Sequence, residues 1–302
     1  MDYKNLNIIK KMYSDGKSIS EFLKKEMKTN DNTSEIIEIV YDLQAGSYIN
    51  SLNENKKKHE LYTDELAKLL DPHLLNHESL LDIGTGELTT LSLILNKIES
   101  KISQVFAFDI SWSRVFTGKS FFEEKCINKN ISLTTFVADI KRIPLCSKSI
   151  DVVTSMHALE PNTNNLSILL KEIFRVARKK CVLFEPSYEL NSKEGKHRMN
   201  QLGYIKDIEG TVKNLGGKLI DVKLIENPLR SSNPTANYII EPPKLTNIKD
   251  NRDIQFTVPG TDFILKNEKN FFISEDTGLL FPILKDIPIL KSEHGIFGTA
   301  LL

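Results

Sequence analysis

Cysteine is scarce in this chain: three residues of 302, at Cys126, Cys146 and Cys181, and no Cys-x-x-Cys pair. That spacing excludes a zinc knuckle and a disulfide framework, and it suits free thiols in a reducing compartment. A charge excess of either sign is also missing. Forty Lys and Arg stand against forty Asp and Glu, so the protein exerts no bulk attraction on phosphate and nucleic acid is not expected as a partner. Short runs such as Lys56-Lys57-Lys58 read as solvated surface. No apolar run approaches the ~20 residues of a membrane span. The opening "MDYKNLNIIKKMYSDGK" has no apolar signal core, so the expectation is a cytoplasmic protein with no membrane contact.

What is present is ordinary globular material, 40% hydrophobic and 26% charged, enough for one large domain or one plus a small one. Residues 1–75 read as helical. "SISEFLKKEMK", "TSEIIEIVYDLQAGSYI" and "HELYTDELAKLLDPHL" place apolar residues three and four apart, the spacing of one helix face. Ser34 is the expected cap of the second of these, with Glu35 in its first turn.

From residue 76 to 243 the pattern changes to short apolar runs between longer helical stretches. Strands are predicted at "SLLDIG", "QVFAFDI", "ISLTTFVAD", "IDVVTSM", "CVLFEP", "GKLIDVKLIE" and "ANYIIE". Helices are predicted at about 88–99, 112–128, 164–178 and 195–215. Strands apolar on both faces suit a parallel sheet covered by helices on both sides. The alternation therefore predicts a doubly wound α/β unit with a mostly parallel seven-stranded, Rossmann-like sheet. The last two strands have no helix between them and are expected as an antiparallel pair at the sheet edge. Pro242-Pro243 and the polar residues to about 253 read as a linker. Residues 254–302 carry short apolar runs between turn sequences such as Asp276-Thr277-Gly278, a small β-rich appendage.

The stretch "SLLDIGTGEL" brings the first strand to Asp82, Gly84, Thr85 and Gly86 and then to a helix start. Glycines there let the backbone turn sharply and approach a ligand, and the helix offers free N–H groups and a positive dipole end. The second strand ends at Asp109, where an acid can accept both hydroxyls of a ribose. The third ends at Asp139, where an acid can bind an exocyclic amine. Three neighbouring strands thus end in Asp.

This constellation resembles the class I S-adenosylmethionine-dependent methyltransferases. "LLDIGTGEL" is similar to their first motif, "FAFDIS" to their ribose-binding acid, and "FVADIKRIPLCSKSIDVVTSMHALEPN" to their adenine strand and the strand after it. The resemblance covers about residues 60–242 and implies S-adenosylmethionine as cofactor. It implies cofactor contacts at Asp82, Gly84, Thr85, Gly86, Asp109, Ile110, Asp139, Ile140 and Met156. "YDLQAGSYI" resembles an N-terminal lid, which puts Tyr41 and Tyr48 over the methionine end; an aromatic face gains a cation–π contact with a sulfonium. Leu88 stands where the family usually has a third glycine.

At the end of the fourth strand, "SMHALEPN" offers His157 as the general base, since its pKa lies nearest neutrality, and Glu160 to orient it. "VLFEPSYE" offers Glu185 and Tyr188, and the following helix offers Arg198, as acceptor-binding groups. The leading expectation is O- or N-methylation of a small molecule, such as a sugar or a biosynthetic intermediate. A tRNA or protein methyltransferase and an inert cofactor-binding scaffold are the alternatives. The segment "FFISEDTGLLFPILKDIPILKSEHG" resembles the small zinc-ribbon methyltransferase activator proteins without their cysteines. It implies a metal-free module that packs on the catalytic domain or mediates a homodimer contact.

Overall fold

The computed structural model describes residues 5–102, 104–127, 129–244 and 253–302. Among these, α1 (Leu6–Ser14), α2 (Ile19–Glu26), α3 (Ser34–Leu43), α4 (Ser47–Glu54) and α5 (Lys56–Leu70) precede the first strand. The stretch from 34 to 49, expected as one helix, breaks at Gly46, whose φ of 93° a helix cannot hold. The cap of α3 is Thr33 rather than Ser34: the Thr33 hydroxyl accepts the Ile36 N–H at 3.3 Å. Serine is, if anything, the better cap by chemistry, so position decided it, and Ser34 is released for a tertiary contact. Helices α1 to α3 enclose a small core of Ile9, Ile19, Leu23 and Ile36. Helix α5 instead buries Tyr62, Leu66 and Leu70 against the main sheet.

The α/β unit then runs β1 (Ser79–Ile83), α6 (Thr89–Lys97), β2 (Gln104–Asp109), α7 (Trp112–Lys125), β3 (Ser132–Val137), β4 (Ile150–Met156), α8 (Leu166–Val176) and β5 (Ala177–Pro186). It continues α9 (Lys193–Leu202), α10 (Ile208–Asn214), β6 (Lys218–Leu224) and β7 (Thr235–Glu241). The seven strands are ordered β3-β2-β1-β4-β5-β7-β6. All pairings are parallel except those of β7, which runs against both β5 and β6. The last two strands are therefore an antiparallel pair as expected, with the final strand inserted inside the sheet. The single helix expected over 195–215 is two, because Gly203 closes α9 in the left-handed region.

Each face of the sheet carries its own core. Leu80, Val105, Val152 and Val182 point towards α5 and α6. Leu81, Phe108, Val153 and Leu183 point towards α8 and α10. The chain order reverses between β1 and β4, and at such a switch point the strand ends splay into a crevice at their carboxyl edge.

The C-terminal residues form β8 (Lys266–Asn267), β9 (Phe271–Ile273), β10 (Leu279–Leu284), β11 (Ile287–Pro288) and β12 (Ile296–Phe297). Most of the expected linker, residues 245–252, lies outside the described residues. The appendage shares the core of the α/β unit: Phe256 packs edge-on against Phe136 at 5.0 Å and against Phe272 at 5.2 Å. Ile289 bridges Val137 in parallel, and the Leu290 N–H donates to the Val137 carbonyl at 2.8 Å. The segment after β11 thus covers the otherwise open edge of β3, which would be a template for non-native pairing.

Because Phe272 is buried in the same cluster as Phe108 and Phe136, Phe272→Ala should lower the stability of the α/β unit itself by roughly 3–5 kcal/mol. Urea unfolding followed by the far-UV signal measures this. A loss confined to a separate minor transition would show that the appendage folds apart from the domain.

Candidate functional site

The three aspartates expected at neighbouring strand ends do stand together at the carboxyl edge. At the end of β1, Gly84 and Gly86 turn with φ of 62° and 56°. A Cβ added to Gly84 would lie 2.4 Å from the Ala158 Cβ, and one added to Gly86 would lie 3.2 Å from the Arg114 guanidinium. Glycine is required at this bend by both conformation and space. Asp82 is buried beneath it, and its Oδ1 has no hydrogen-bond partner. Burial pushes its carboxyl up to about 7, with Asp109 and Glu185 adding to the rise and the nearby Thr85 hydroxyl opposing it.

Asp109 braces the same bend from β2. Its Oδ2 accepts the Gly86 N–H at 2.9 Å, and its Oδ1 accepts the Ser111 N–H at 3.0 Å. Ile110 follows it, half-buried. Asp139 at the end of β3 accepts the Lys141 N–H at 2.9 Å and the Ser34 hydroxyl at 2.5 Å. Ile140 reaches to within 3.9 Å of the Gly84 Cβ position. Met156 closes β4, half-buried against the α5–α6 core.

Leu88 explains how the chain manages without a third glycine. It adopts φ 56° and ψ 9°, the left-handed conformation in which glycine is unstrained. Its side chain is fully buried in the core shared with Leu91 and Leu95, and that burial offsets about 1 kcal/mol of backbone strain. Close packing is supplied from another element: a Cβ on Gly118 of α7 would meet the Glu87 carbonyl carbon at 2.5 Å.

Residues from the helical N-terminal region close over this edge. Glu87 accepts N–H groups from Gly46 at 3.0 Å, Tyr48 at 3.3 Å and Ile49 at 3.0 Å, and so caps α4. Asp42 accepts the Ser111 hydroxyl at 2.7 Å and the Ser113 N–H at 3.2 Å. Tyr41 and Tyr48 lie against the Arg114 guanidinium, 5.1 and 4.2 Å from ring centre to Cζ. Arg114 is 4% exposed, and its Nε and Nη2 make no hydrogen bond. Burial works against its charge, but Asp109, Tyr48 and Glu87 outweigh that and hold its pKa above the ordinary value.

Beside this lies a second polar group. His157 sits at the end of β4 with φ 63°, a conformation retained by a non-glycine residue only where its surroundings fix it. Its Nδ1 lies 2.9 Å from Glu160 Oε2 and its Nε2 lies 2.7 Å from Thr235 Oγ1. Asn233 also donates to Glu160, at 3.1 Å. The carboxylate can only accept, which assigns a proton to Nδ1 and leaves Nε2 as an acceptor when the ring is neutral. Burial lowers the imidazole pKa, yet the Glu160 hydrogen bond and charge raise it further, and it stands above its ordinary value. Tyr41 joins the two groups: burial, then Tyr48, Glu160 and Tyr204, hold its phenol well above the usual range.

Of the expected acceptor residues, Glu185 is fully buried and turned inwards. It accepts the Ala158 N–H at 3.0 Å and the Leu159 N–H at 3.2 Å, and so holds the loop that carries His157. Arg198 stacks over Tyr204 at 5.6 Å. Burial and the neighbouring Glu160 push the Tyr204 phenol up to about 12. Tyr188 stands apart from this group, flanked by Lys196 at 5.7 Å and Lys206 at 5.2 Å. Arg114, Glu87, Tyr204 and Thr235 escaped the sequence reading. Arg114 carried one signal, its place in the first turn after a capping Ser111 next to Asp109.

Comparison with known proteins agrees with this geometry. Residues 81–184 match the family described as "Methyltransferase domain", and no curated protein matches the chain significantly. The chain is similar to a structure of the complex between the Haloferax volcanii Trm112 methyltransferase activator and a methyltransferase. Identity there is 16% and TM-score 0.53, over 68% of this chain and 98% of that one. It is also similar to magnesium protoporphyrin IX methyltransferase from Synechocystis PCC 6803 with bound SAH. That match has 15% identity and TM-score 0.50, over 67% of this chain and 97% of the other. These matches place the sheet in the class I methyltransferase fold, with residues 81–184 as the part similar to that family.

Burial pushes Glu185 from its ordinary 4.5 up to about 7, with His157 and Ser155 pulling the other way. Below the ordinary value, folded and unfolded chains both hold the proton. Between there and about 7 only the folded chain holds it, so stability falls as pH rises, and above about 7 the loss is complete. Glu185→Gln removes the titration while keeping an accepting oxygen. It should match the parent near pH 4 and exceed it at pH 8 by on the order of 2–3 kcal/mol in urea unfolding. Parallel stability curves for the two proteins would contradict the assignment.

Proposed function

We propose that this chain, whose α/β unit carries a class I methyltransferase domain, is an S-adenosylmethionine-dependent enzyme that methylates oxygen or nitrogen of a small molecule. The observation that carries this reading is the Asp109 carboxylate. It is fixed at the end of β2 by the Gly86 and Ser111 N–H groups, beside a glycine bend with no room for side chains.

The residues present fit such a cofactor. Asp109 would hold the ribose hydroxyls, with Ile110 beside it. Asp139 keeps further lone pairs for an adenine amine, and Ile140 would flank the ring. Gly84, Thr85, Gly86 and the start of α6 suit the amino-acid end, with the unpartnered Asp82 Oδ1 beneath. Tyr41 and Tyr48 present aromatic faces that already accommodate a cation, the Arg114 guanidinium, and Met156 closes the β4 side. When bound, S-adenosylmethionine supplies a methyl group on a positively charged sulfur, open to in-line displacement.

The chain's own work is alignment, exclusion of water and proton removal. His157 Nε2, now facing the Thr235 hydroxyl, would take the acceptor's proton. Glu160 steadies the Nδ1 proton and the imidazolium that forms. Arg198 and Tyr204 border this group and suit an acceptor bearing an acidic or hydroxyl substituent, with Tyr188 at its outer margin. A site enclosed by α3 and α4 favours a small acceptor over a folded macromolecule.

Calorimetry with S-adenosylhomocysteine tests the cofactor. Binding in the micromolar range, weakened at least ~10-fold by Asp109→Ala, is expected, and no binding to the parent would reject the reading. In turnover assays over a panel of hydroxyl and amine acceptors, His157→Gln should lower kcat roughly 10²- to 10³-fold without changing cofactor affinity. Unchanged kcat would remove His157 from the chemistry. Methylation of RNA or protein with no small-molecule turnover would replace the acceptor class.

A further inference from the structure

The C-terminal appendage reaches the ligand edge of the sheet. After β11, Ile289 bridges Val137 in parallel and Leu290 donates to the Val137 carbonyl. This segment therefore runs as an eighth parallel line beside β3, and the next residue, Lys291, arrives level with the end of β3 that carries Asp139. Lys291 is 1% exposed. Its ammonium pairs with Glu38 in the middle of α3 and lies 3.1 Å from Glu293.

Helix α3 is the element that closes the site. Ser34, Glu38 and Asp42 recur every four residues, so they share one face, and each is bound to a different part of the molecule. Ser34 donates to Asp139 at 2.5 Å and accepts from Lys141 at 3.1 Å. Asp42 takes the start of α7, next to Asp109. Glu38, between them, is held by Lys291 of the appendage. Tyr41, on the adjoining face, extends to Arg114 and towards Glu160. Anchors at both ends of one face stop α3 rotating about its axis, but they leave its middle free to lift away from the domain. The buried ammonium opposes that movement, because a displaced Glu38 would leave Lys291 with the more exposed Glu293 as its remaining acidic partner.

We propose that the appendage is a built-in seat for the lid, and that Lys291 is a positioning residue. By holding Glu38 it keeps the middle of α3 seated on the domain, which supports Ser34 on the adenine-side acid and Tyr41 over the glycine bend. The proposal rests on the cofactor reading above, and gives the appendage a role in ligand binding that its packing on the β3 edge alone does not require.

The test uses the full chain with S-adenosylhomocysteine as the probe. Lys291→Met and Glu38→Gln should each weaken binding about 5- to 20-fold by calorimetry. Hydrogen exchange of the ligand-free proteins should show faster exchange over residues 34–49, with β1 and β4 unchanged. Lys291→Arg, which keeps a cation between Glu38 and Glu293, should retain the affinity. If the single variants fold, keep parental affinity and keep parental exchange in α3, the appendage is packing only and the proposal fails. If Lys291→Met does not fold, Glu38→Gln and Lys291→Arg, which keep the volume of the site, decide it by the same readouts. If the parent chain itself does not bind the probe, the cofactor reading fails, and exchange in α3 still reports on the clasp.

Discussion

The hydrogen bond from the Gly86 N–H to Asp109 Oδ2 ties together the two strand ends on which the site is built. A carboxylate buried at 5% exposure has lost its water and needs hydrogen-bond partners from the protein. Here the partners are two backbone N–H groups and, nearby, the Arg114 guanidinium. The same bond fixes the glycine bend, so backbone geometry and electrostatics at this edge are set together. Everything that closes over the edge then has a rigid base: Glu87, one residue beyond, caps α4, and Asp42 takes the hydroxyl and N–H groups that open α7 next to Asp109.

The edge divides electrostatically. On the side proposed for the cofactor, carboxylates and aromatic faces surround the Arg114 guanidinium, an environment suited to a cation. On the side proposed for the acceptor, His157 stands between Glu160 and Thr235 with Glu185 behind the loop. Asp82 and Glu185, both fully enclosed and both raised to about 7, lie on adjoining parts of the sheet and make that region sensitive to pH near neutrality. Tyr41, on α3, lies between the two sides, against Arg114 and within the field of Glu160.

Much of this was legible in the sequence. The seven strands followed from apolar runs of five to ten residues, and the three terminal aspartates from their position at the ends of those runs. His157 and Glu160 meet as expected because three residues in a tight turn bring their side chains together. What stayed hidden depended on contacts across long separations. Glu87 had no distinguishing signal in the sequence, and the approach of Gly46 and Ile49 shows it to be a cap. Glu185 read as a lining residue because it ends a strand, yet alternation along β5 turns it inwards beneath Ala158 and Leu159. Leu88 read as a departure from a glycine pattern, and the structure shows the same left-handed backbone held by side-chain burial. The break at Gly46 was readable in principle, since a glycine at the centre of an amphipathic run is a stop as easily as a small residue. The Lys291–Glu38 pair, separated by most of the chain, had no local signal.

The most direct measurement is a crystal structure of the chain with S-adenosylhomocysteine bound. The account predicts the Asp109 carboxylate on the two ribose hydroxyls, the adenine amine beside Asp139, and the amino-acid end over Gly84 and Gly86, with Tyr41 closing above. A nucleoside bound elsewhere, or Asp109 turned away from the ribose with the glycine bend untouched, would contradict it.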